Sequence, residues 1–433
     1  MHKQLLNKIN TRIAKIGIVG QGYVGLPLSV ELAKQGFEVM GFEVDEFKVS
    51  MINKGKSYIG DVDTNDMKEL VSNKKFSATL DFKNFAKMDI IIICVPTPLR
   101  KSKDPDVSYI VEAVVNIKKT LRKGQLIILE STTYPGTTDE LVTPMLEETG
   151  LNAGKDFFLA FSPERIDPSN KKFGIKDTPK VVGGLCEKCT DLAAAVYGSF
   201  TKAHKVSSTQ TAEMVKLLEN TFRAVNIALV NEVALMCNKL NINVWEIIEA
   251  AATKPFGFMP FYPGPGIGGH CIPLDPHCLS WKLKTLNFYS RFIELAGEMN
   301  SKMPEYVVST ISDALNKKTK ALRNSKVLVL GAAYKKNVAD IRESPAIDII
   351  NILIEKGVKL SYYDPYIPVI KSCGCRRVLS SIKSLSRLNK YDAVVVITDH
   401  ANIDYERVLK EAKVIVDTRN AFRNVKSNKI VRI

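Results

Sequence analysis

The feature that most constrains the fold is a glycine-rich segment near the N-terminus, Gly20-Gln21-Gly22-Tyr23-Val24-Gly25. It follows a short apolar run at residues 15–19, which is typical of a buried parallel strand. Residues 26–35 then predict a helix, and residues 37–42 predict a second strand that ends at Glu43. The glycines allow a tight turn and let the backbone approach a pyrophosphate at the helix N-terminus. This order of elements predicts a dinucleotide-binding βαβ unit.

The acid after the second strand decides which cofactor is expected. The carboxylate of Glu43 can accept hydrogen bonds from ribose hydroxyls, whereas it would repel the 2′-phosphate of NADP. We therefore expect NAD. The residues assigned to the cofactor in this part of the chain are Gly20, Gly22, Tyr23, Val24, Gly25, Glu43, Lys48 and Thr97.

Length and charge narrow the class of protein. A chain of 433 residues is expected to form two or three domains. The net charge of +15 is spread along the chain without a nucleic-acid motif, so we expect no nucleic-acid partner. No apolar run approaches membrane-spanning length, and the basic N-terminal dozen lacks the apolar core of a signal peptide. We expect a cytoplasmic protein without membrane contact.

The cysteines favour reduced thiols over disulfides or a metal site. There are eight of them in a long chain without a secretory signal. The close pairs Cys186/Cys189 and Cys373/Cys375 fall in different predicted domains, and the second pair has only one intervening residue. We therefore predict no metal site, and we expect His270 and His277 to be structural.

Three further apolar runs predict buried parallel strands, at residues 89–95, 125–130 and 157–161. Ligands bind beyond the carboxyl ends of the strands in a doubly wound sheet, so Thr97 and Thr132 are placed to reach cofactor and substrate. The third run is followed by Ser162-Pro163-Glu164-Arg165 in the same position. Repetition of polar residues after successive apolar runs favours a functional site at this edge.

One long helix is predicted over residues 207–240, which contain no glycine or proline, with Ser207 and Gln210 as its capping box. At 1.5 Å per residue it would extend about 50 Å, enough to cross between two domains. Lys216 and Asn220 stand four residues apart and share a face, where two polar donors can bind an oxyanion. Residues 238–253 predict continued helix. An apolar stripe on the long helix is expected to form core or subunit contacts, with members Met214, Leu217, Leu218, Phe222, Val225, Leu229 and Val233.

A second doubly wound unit begins at residue 326. Its elements are predicted as strands at residues 326–331, 359–364, 391–398 and 414–417, with a helix at 346–354. The turn Gly331-Ala332-Ala333-Tyr334-Lys335 carries side chains where the later glycines of a dinucleotide fingerprint would stand, so a full dinucleotide is not its expected ligand. Lys335 and Arg342 instead offer cations to a diphosphate.

The predicted fold class is α/β, with two Rossmann-like doubly wound parallel sheets joined by a long central helix and a helical segment. We place an N-terminal domain at residues 1–205, a helical domain at 206–305 and a C-terminal domain at 306–433.

A cysteine in a glycine-opened loop, Gly268-Gly269-His270-Cys271-Ile272-Pro273-Leu274-Asp275-Pro276, indicates the chemistry. Oxidation of an alcohol by a nicotinamide cofactor normally stops at the aldehyde. A thiol can add to that aldehyde as a thiohemiacetal, a second hydride can leave, and the thioester that results can be hydrolysed to a carboxylate. One site can then remove four electrons.

Together these motifs resemble the UDP-glucose/GDP-mannose dehydrogenase family over nearly the full length of the chain. The motifs are, in order, residues 20–25, 95–98, 131–132, 162–165, 211–216, Asn220, 268–276, Lys335 and 340–344. The resemblance implies a nucleotide-sugar 6-dehydrogenase that converts a C6 hydroxymethyl to a carboxylate with two NAD. It also implies a homodimer formed through the central helical segment.

The resemblance further implies roles for individual residues. Cys271 would be the covalent nucleophile, with Asp275 positioning water and protons, and Glu164 would be the base for thioester hydrolysis. Lys216 and Asn220 would stabilise the oxyanion. Further assignments are Thr132 to water and the cofactor side, Arg342 to the NAD pyrophosphate, and Glu164, Arg165, Lys216, Asn220, Gly268, Gly269 and Lys335 to the UDP-sugar.

The identity of the sugar is read from three segments. Residues 131–136, 162–165 and 262–266 resemble the branch that acts on UDP-N-acetylhexosamines. UDP-N-acetylglucosamine is the first choice and UDP-N-acetylmannosamine the second, because the two differ only at C2; UDP-glucose stays an alternative.

Two other classes of protein are alternatives. A two-electron hydroxyacid dehydrogenase would share the N-terminal fold but not need Cys271 or a second Rossmann unit. A nucleotide-binding sensor would keep the fingerprint and could lose the nucleophile.

Overall fold

The computed structural model describes residues 1–100, 104–166, 173–269, 271–371, 375 and 377–433. The chain forms two compact units. Unit 1 comprises Met1–Glu219 and His277–Asn287, and unit 2 comprises Asn220–Pro276 and Phe288–Ile433. Within the described ranges, no helix combines the length and the apolarity needed to cross a bilayer.

Unit 1 is built on a sheet of eight strands in the order β3-β2-β1-β4-β5-β6-β7-β8. The strands are β1 (Lys15–Val19), β2 (Glu38–Phe42), β3 (Phe76–Thr79), β4 (Ile90–Ile93), β5 (Leu126–Leu129), β6 (Phe158–Phe161), β7 (Lys180–Gly184) and β8 (Ala203–Lys205). The first six pair in parallel, and β7 pairs with β6 antiparallel. The helices are α1 (His2–Asn10), α2 (Gly25–Lys34), α3 (Glu46–Asn53), α4 (Thr64–Ser72), α5 (Ser108–Lys118), α6 (Thr143–Glu147) and α7 (Glu187–Tyr197).

The central strands of unit 1 are apolar on both faces because helices cover both. Successive side chains of a strand point to opposite faces. Ile90 and Ile92 therefore join one hydrophobic cluster with α2 and α7, whereas Ile91 and Ile93 join a second cluster with α5 and α6. This double burial explains the uninterrupted apolar runs of the sequence.

A long helix, α8 (Thr209–Leu240), crosses the division between the two units. Its predicted capping box is wrong by one residue, because the amide of Thr211 donates to the hydroxyl of Ser208 (3.1 Å). The predicted continuation to residue 253 is also wrong. Asn241 has φ 56°, and the amide of Ile242 donates to the carbonyl of Cys237 (3.0 Å), which closes the helix as a Schellman motif. A separate helix, α9 (Val244–Ala251), follows.

Unit 2 contains a second parallel sheet in the order β10-β9-β13-β14-β15. A two-stranded antiparallel ribbon, β11 with β12, lies outside it. The other elements of unit 2 are α11 (Arg291–Asn316), β9 (Lys326–Leu330), α12 (Pro345–Glu355), β10 (Lys359–Tyr363), β11 (Val369–Ile370), β12 (Leu379–Ser380), β13 (Ala393–Val396), α13 (Tyr405–Glu411), β14 (Ile415–Asp417) and β15 (Ile430–Arg432). Helix α10 (Asp275–Thr285) begins in unit 2 and belongs to unit 1 from His277 onward. The predicted fold class, two parallel sheets joined by a long helix, is confirmed.

Candidate active site

The glycine turn between β1 and α2 has the shape that a pyrophosphate needs. Gly20 has φ +85°, and a Cβ on Gly25 would lie 1.9 Å from the carbonyl oxygen of Gly20, so both positions require glycine for the turn itself. A Cβ on Gly22 would meet no heavy atom within 4 Å. The cap residue of α2 is Val24, whose apolar side chain cannot cap the first amides of the helix. This cradle fits the pyrophosphate of NAD.

The carboxylate that follows β2 is held by the same turn. Glu43 is buried, and one of its oxygens accepts from the amide of Gln21 (3.0 Å) and from Nζ of Lys48 (3.1 Å). Its other oxygen accepts from the amide of Val44 (2.9 Å). Tyr23 is half exposed at the same turn. The predicted cofactor residues of this segment therefore lie together at one edge of the sheet.

The loops that follow β4 and β5 are tied to each other. The hydroxyl of Thr97 donates to the carbonyl of Thr132, and the hydroxyl of Ser131 donates to the carbonyl of Val95 (2.7 Å). Glu213 on α8 is buried and accepts from the amides of Gly136 (2.6 Å) and Thr138 (2.9 Å). The structure thus brings Thr97 and Thr132 together, and Glu213 is an anchor that the sequence reasoning missed.

Glu164 lies at the end of β6 and is held on both oxygens. One oxygen accepts from the amides of Arg165 (2.6 Å) and Ile166 (2.5 Å). The other accepts from Nζ of Lys180 (2.6 Å), which also contacts the carboxylate of Glu130. Lys180 and Glu130 were not predicted, although Glu130 directly follows the apolar strand β5 and Lys180 is the first residue of β7.

Two predicted cations of unit 1 lie on or against α8. The guanidinium of Arg165 binds the carboxylate of Glu219 (2.5 Å) and donates to the carbonyl of Pro179 (2.7 Å). Its charge therefore fixes the loop that carries Glu164. Lys216 is buried on the same helix, one turn before Asn220.

In unit 2 the loop with the candidate nucleophile runs directly into α10. The carbonyl of Cys271 accepts from the amides of Leu274 (3.0 Å) and Asp275 (2.8 Å), and the side chain of Cys271 is partly exposed. Asp275 is buried and accepts from the amide side chain of Asn220 (2.5 Å). The structure therefore brings Asn220 and Asp275 together beside the cysteine turn. His270 lies outside the described residues.

The glycines of this loop are explained by close packing. A Cβ on Gly268 would lie 2.7 Å from Cβ of Tyr334, and Gly269 has φ +91°. The amide of Gly269 donates to the carbonyl of Arg342 (3.1 Å). Arg342 forms an ion pair with Asp340 (2.6 Å). Lys335 is partly buried in the same segment after β9.

Cys186 and Cys189 are the closest pair among the cysteines that the structure describes. Sγ of Cys186 and Sγ of Cys189 lie 3.2 Å apart at the start of α7. Cys373 lies outside the described residues, so its pair with Cys375 is not described. Among the residues that the structure describes, no group of three or more His, Cys, Asp and Glu side chains could hold a metal ion.

A glycine turn with room for a pyrophosphate, set in a doubly wound sheet, is typical of nicotinamide-dependent oxidoreductases. Three family models match successive parts of the chain. They describe the NAD-binding domain (residues 14–201), the central domain (210–302) and the UDP-binding domain (328–424) of the UDP-glucose/GDP-mannose dehydrogenase family. The chain belongs to this family and is an NAD-dependent UDP-sugar dehydrogenase.

Curated relatives and a solved structure agree with that assignment. The chain is 36% identical to the UDP-N-acetyl-D-glucosamine 6-dehydrogenase of Pseudomonas aeruginosa, with 82% of this chain and 83% of the relative covered. It is 35% identical to the UDP-N-acetyl-D-mannosamine dehydrogenase of Pyrococcus horikoshii, with 94% and 96% covered. The solved structure of UDP-D-ManNAc dehydrogenase from Pyrococcus horikoshii matches with a TM-score of 0.88 and 35% identity, over 97% of this chain and 99% of that one.

Proposed function

We propose that this protein oxidises the C6 hydroxymethyl of a UDP-N-acetylhexosamine to a carboxylate, with UDP-N-acetyl-D-glucosamine as the first choice. The observation that carries the four-electron chemistry is the Cys271 turn, where a partly exposed thiol precedes α10 and Asn220 binds the buried carboxylate of Asp275. A two-electron dehydrogenase has no use for such a thiol.

The chain's own residues account for the steps after the first oxidation. Two NAD molecules, bound one after the other, would each supply the acceptor for one hydride. The thiol of Cys271 adds to the C6 aldehyde, and the same sulfur holds the acyl group as a thioester after the second oxidation. Glu164 takes a proton from the water that attacks the thioester. The carbon–sulfur bond breaks, and Cys271 leaves as a thiol beside the new carboxylate.

The other assigned residues bind and orient in this proposal. Lys216 and Asn220 stabilise the oxyanion that forms on C6, Asp275 positions water and protons, and Thr132 orders the water. Lys335 and Arg165, with Gly268 and Gly269 in the cysteine loop, are assigned to the UDP-sugar, and Arg342 is assigned to the NAD pyrophosphate.

The acetamido group is assigned to the aromatic segment before the cysteine loop. Phe256 and Phe258 are exposed there and offer an apolar wall to the acetyl methyl. Tyr262 instead stacks on Trp245 (centroids 5.9 Å apart), and Phe261 packs edge-on against Phe222 (5.7 Å). The relatives named for the gluco and manno sugars are equally similar to this chain. UDP-N-acetyl-D-mannosamine is therefore the second candidate.

A homodimer through the central helix completes the proposal. Leu218, Phe222, Leu229 and Met236 lie on one face of α8 and are about half exposed. A row of large apolar side chains on one helix face is typical of a protein interface. A second copy of the chain is the proposed partner.

Stoichiometry tests the four-electron chemistry. We expect two NADH for each sugar acid released by the native enzyme, and no acid from Cys271→Ala, because the aldehyde then has no sulfur to bind. Absorbance at the NADH band with chromatography of the product measures both. Cys186→Ala, which changes a partly exposed thiol in unit 1, is the matched control. Acid formation by Cys271→Ala at the native rate would remove Cys271 from the mechanism.

A substrate panel tests the sugar. We expect kcat/KM for UDP-N-acetyl-D-glucosamine or UDP-N-acetyl-D-mannosamine to exceed that for UDP-glucose by about tenfold or more, since a missing buried contact typically costs that much. The ratio between the two N-acetyl sugars decides the C2 configuration. A value for UDP-glucose equal to or above both would contradict the assignment to N-acetylhexosamines.

A further inference from the structure

A buried cluster of titratable residues in unit 1 surrounds Glu164, and its other members are not used by the steps above. It consists of Glu130, Glu164, Lys180 and Tyr197 and is called the Glu130 cluster below. Its members come from four separate places in the chain: directly after β5, after β6, at the first residue of β7 and at the last residue of the helix α7. The side chains of Glu130 and Lys180 are 0% and 2% exposed. A charged group is rarely buried so fully unless it is paired.

The contacts engage every oxygen of the two carboxyl groups. Lys180 Nζ binds Oε1 of Glu130 and Oε2 of Glu164 (2.6 Å to the latter). The hydroxyl of Tyr197 donates to the other oxygen of Glu130. Backbone amides hold the other oxygen of Glu164. One cation therefore serves two carboxyl groups, and the cluster carries a net negative charge when both are ionised.

The two carboxyl groups respond differently to this environment. Burial, with the negative charge of Glu164, raises the pKa of Glu130 to about 7 despite the attraction of Lys180. Burial acts in the same direction on Glu164, but Lys180 and the hydrogen bonds from Lys180, Glu130 and Ile166 outweigh it and hold the pKa of Glu164 below its usual range. Near neutral pH, a proton in the cluster therefore resides on Glu130.

The other titratable groups that face Glu130 keep one charge state. Burial lowers the pKa of Lys180, but the two carboxyl groups outweigh it and raise that pKa above its ordinary value, so Lys180 stays a cation. Burial raises the pKa of the Tyr197 phenol and of the Cys94 thiol, so both stay neutral. Only Glu130 is left to change charge near neutral pH within the cluster.

We propose that Glu130 stores the proton that Glu164 removes from water during thioester hydrolysis, and that Lys180 positions both carboxyl groups for this transfer. Hydrolysis of the thioester by one water gives the thiol, the sugar carboxylate and one surplus proton. That proton passes from water to Glu164, then to ionised Glu130, and leaves for solvent before the next turnover. Glu130 touches neither substrate nor cofactor in this scheme, so it is a positioning residue. The inference rests on the proposed role of Glu164.

The scheme predicts a pH dependence with a defined direction. Glu130 must be ionised to receive the proton, so kcat for acid formation is expected to rise as pH increases through about 7. This rise of kcat with pH is called the pH limb below. In Glu130→Gln the pH limb should disappear, and kcat should fall by about tenfold or more. The acyl adduct on Cys271 should then accumulate and appear as added mass on the intact protein, while the first rapid release of NADH is retained.

A milder variant keeps the test decisive if Glu130→Gln does not fold. Tyr197→Phe removes one hydrogen bond that stabilises ionised Glu130, so its pKa should rise and the limb should move to higher pH with an unchanged plateau. Lys180→Arg keeps the cation and should retain the limb. Tyr306→Phe, a half-buried tyrosine of unit 2, is the control and should leave the limb in place.

The outcomes separate this inference from the proposed function. If Glu164→Gln blocks acid release but Glu130→Gln and Tyr197→Phe keep the native rate and pH limb, Glu130 stores no proton and the inference is wrong. If Glu164→Gln itself keeps full turnover without an adduct, the proposed base is wrong, and Asp275 becomes the alternative base.

Discussion

Single residues of the cofactor turn could be predicted because their signals are local. Gly20, Gly25 and Glu43 lie within 24 residues of one another, in the order that is typical of a dinucleotide-binding βαβ unit. Lys180 and Glu130 could not be predicted, because they meet only after the chain has passed through α6 and β6 to the start of β7. A charged residue in an apolar run shows that a partner is required, but it does not identify the partner.

Glu43 carries a prediction about cofactor choice. Its carboxylate is fixed by the Gln21 amide and Lys48, in the place where a ribose is expected. We expect Glu43→Gln to lower kcat/KM for NAD by about tenfold, which is the equivalent of one hydrogen bond to a charged group. The ratio of kcat/KM for NAD to that for NADP should fall as well. Initial rates with both cofactors measure this. Glu46→Gln, in the exposed first turn of α3, is the control; an unchanged NAD/NADP ratio in Glu43→Gln would show that Glu43 does not face the ribose.

At the scale of elements, the long apolar strands were predictable and the irregular ends were not. Strand β4 lies inside the predicted run, whereas β7 and β8 were missed because β7 begins with Lys180 and ends in two glycines and β8 has only three residues. The end of α8 was missed for a similar reason. Asn241 adopts the left-handed conformation there, and asparagine gives a weaker stop signal than glycine or proline.

The two sheets share one structural feature, an acidic residue that fixes the turn after the first strand. In each unit an acid after the second strand accepts from the turn after the first: Glu43 from Gln21, and Asp364 from the amides of Ala332 (2.7 Å) and Ala333 (2.9 Å). Asp364 also accepts from Nε2 of His400 (3.0 Å). Its other oxygen accepts from the amides of Tyr366 (2.7 Å) and Ile367 (3.0 Å), so the acid ties its own loop to the turn after the first strand.

Asp364 leads to a prediction about stability. Burial alone would raise its pKa, but the hydrogen bonds from His400, Ala333 and Ala332 outweigh burial and hold the pKa below its ordinary value. A lowered carboxyl pKa contributes stability above the unfolded value of about 4, and that contribution is lost as pH falls through the folded value. Asp364→Asn should therefore cost about 1–3 kcal/mol at pH 7 and progressively less in acid.

Urea unfolding at neutral and acidic pH measures this difference. Asp191→Asn is the control, because Asp191 forms an exposed ion pair with Lys205 and should contribute little. A loss of stability in Asp364→Asn that stays constant as the pH falls below about 4 would show that the charge of Asp364 is not the source.

At the scale of the whole molecule, sequence alone identified the family, and the family models and relatives confirm it over nearly the full chain. The sugar could not be fixed in the same way. The gluco and manno substrates differ at one carbon centre, and discrimination at such a centre depends on the placement of a few side chains rather than on any motif. The chain carries every residue assigned to the chemistry, and kcat/KM on the panel of UDP-sugars identifies the sugar.

The exposed apolar face of α8 carries the last prediction, which concerns assembly. Leu229 lies at the middle of that face, with Phe222 and Met236 one heptad to either side. If a second copy covers this face, Leu229→Glu places a charge in an apolar interface and should convert the dimer to a monomer at micromolar concentration. Sedimentation velocity over a range of concentrations measures the change. Asn238→Glu, on the opposite side of the helix, is the matched control and should stay dimeric. A native protein that sediments as a monomer, or a Leu229→Glu variant that stays dimeric, would place the interface away from α8.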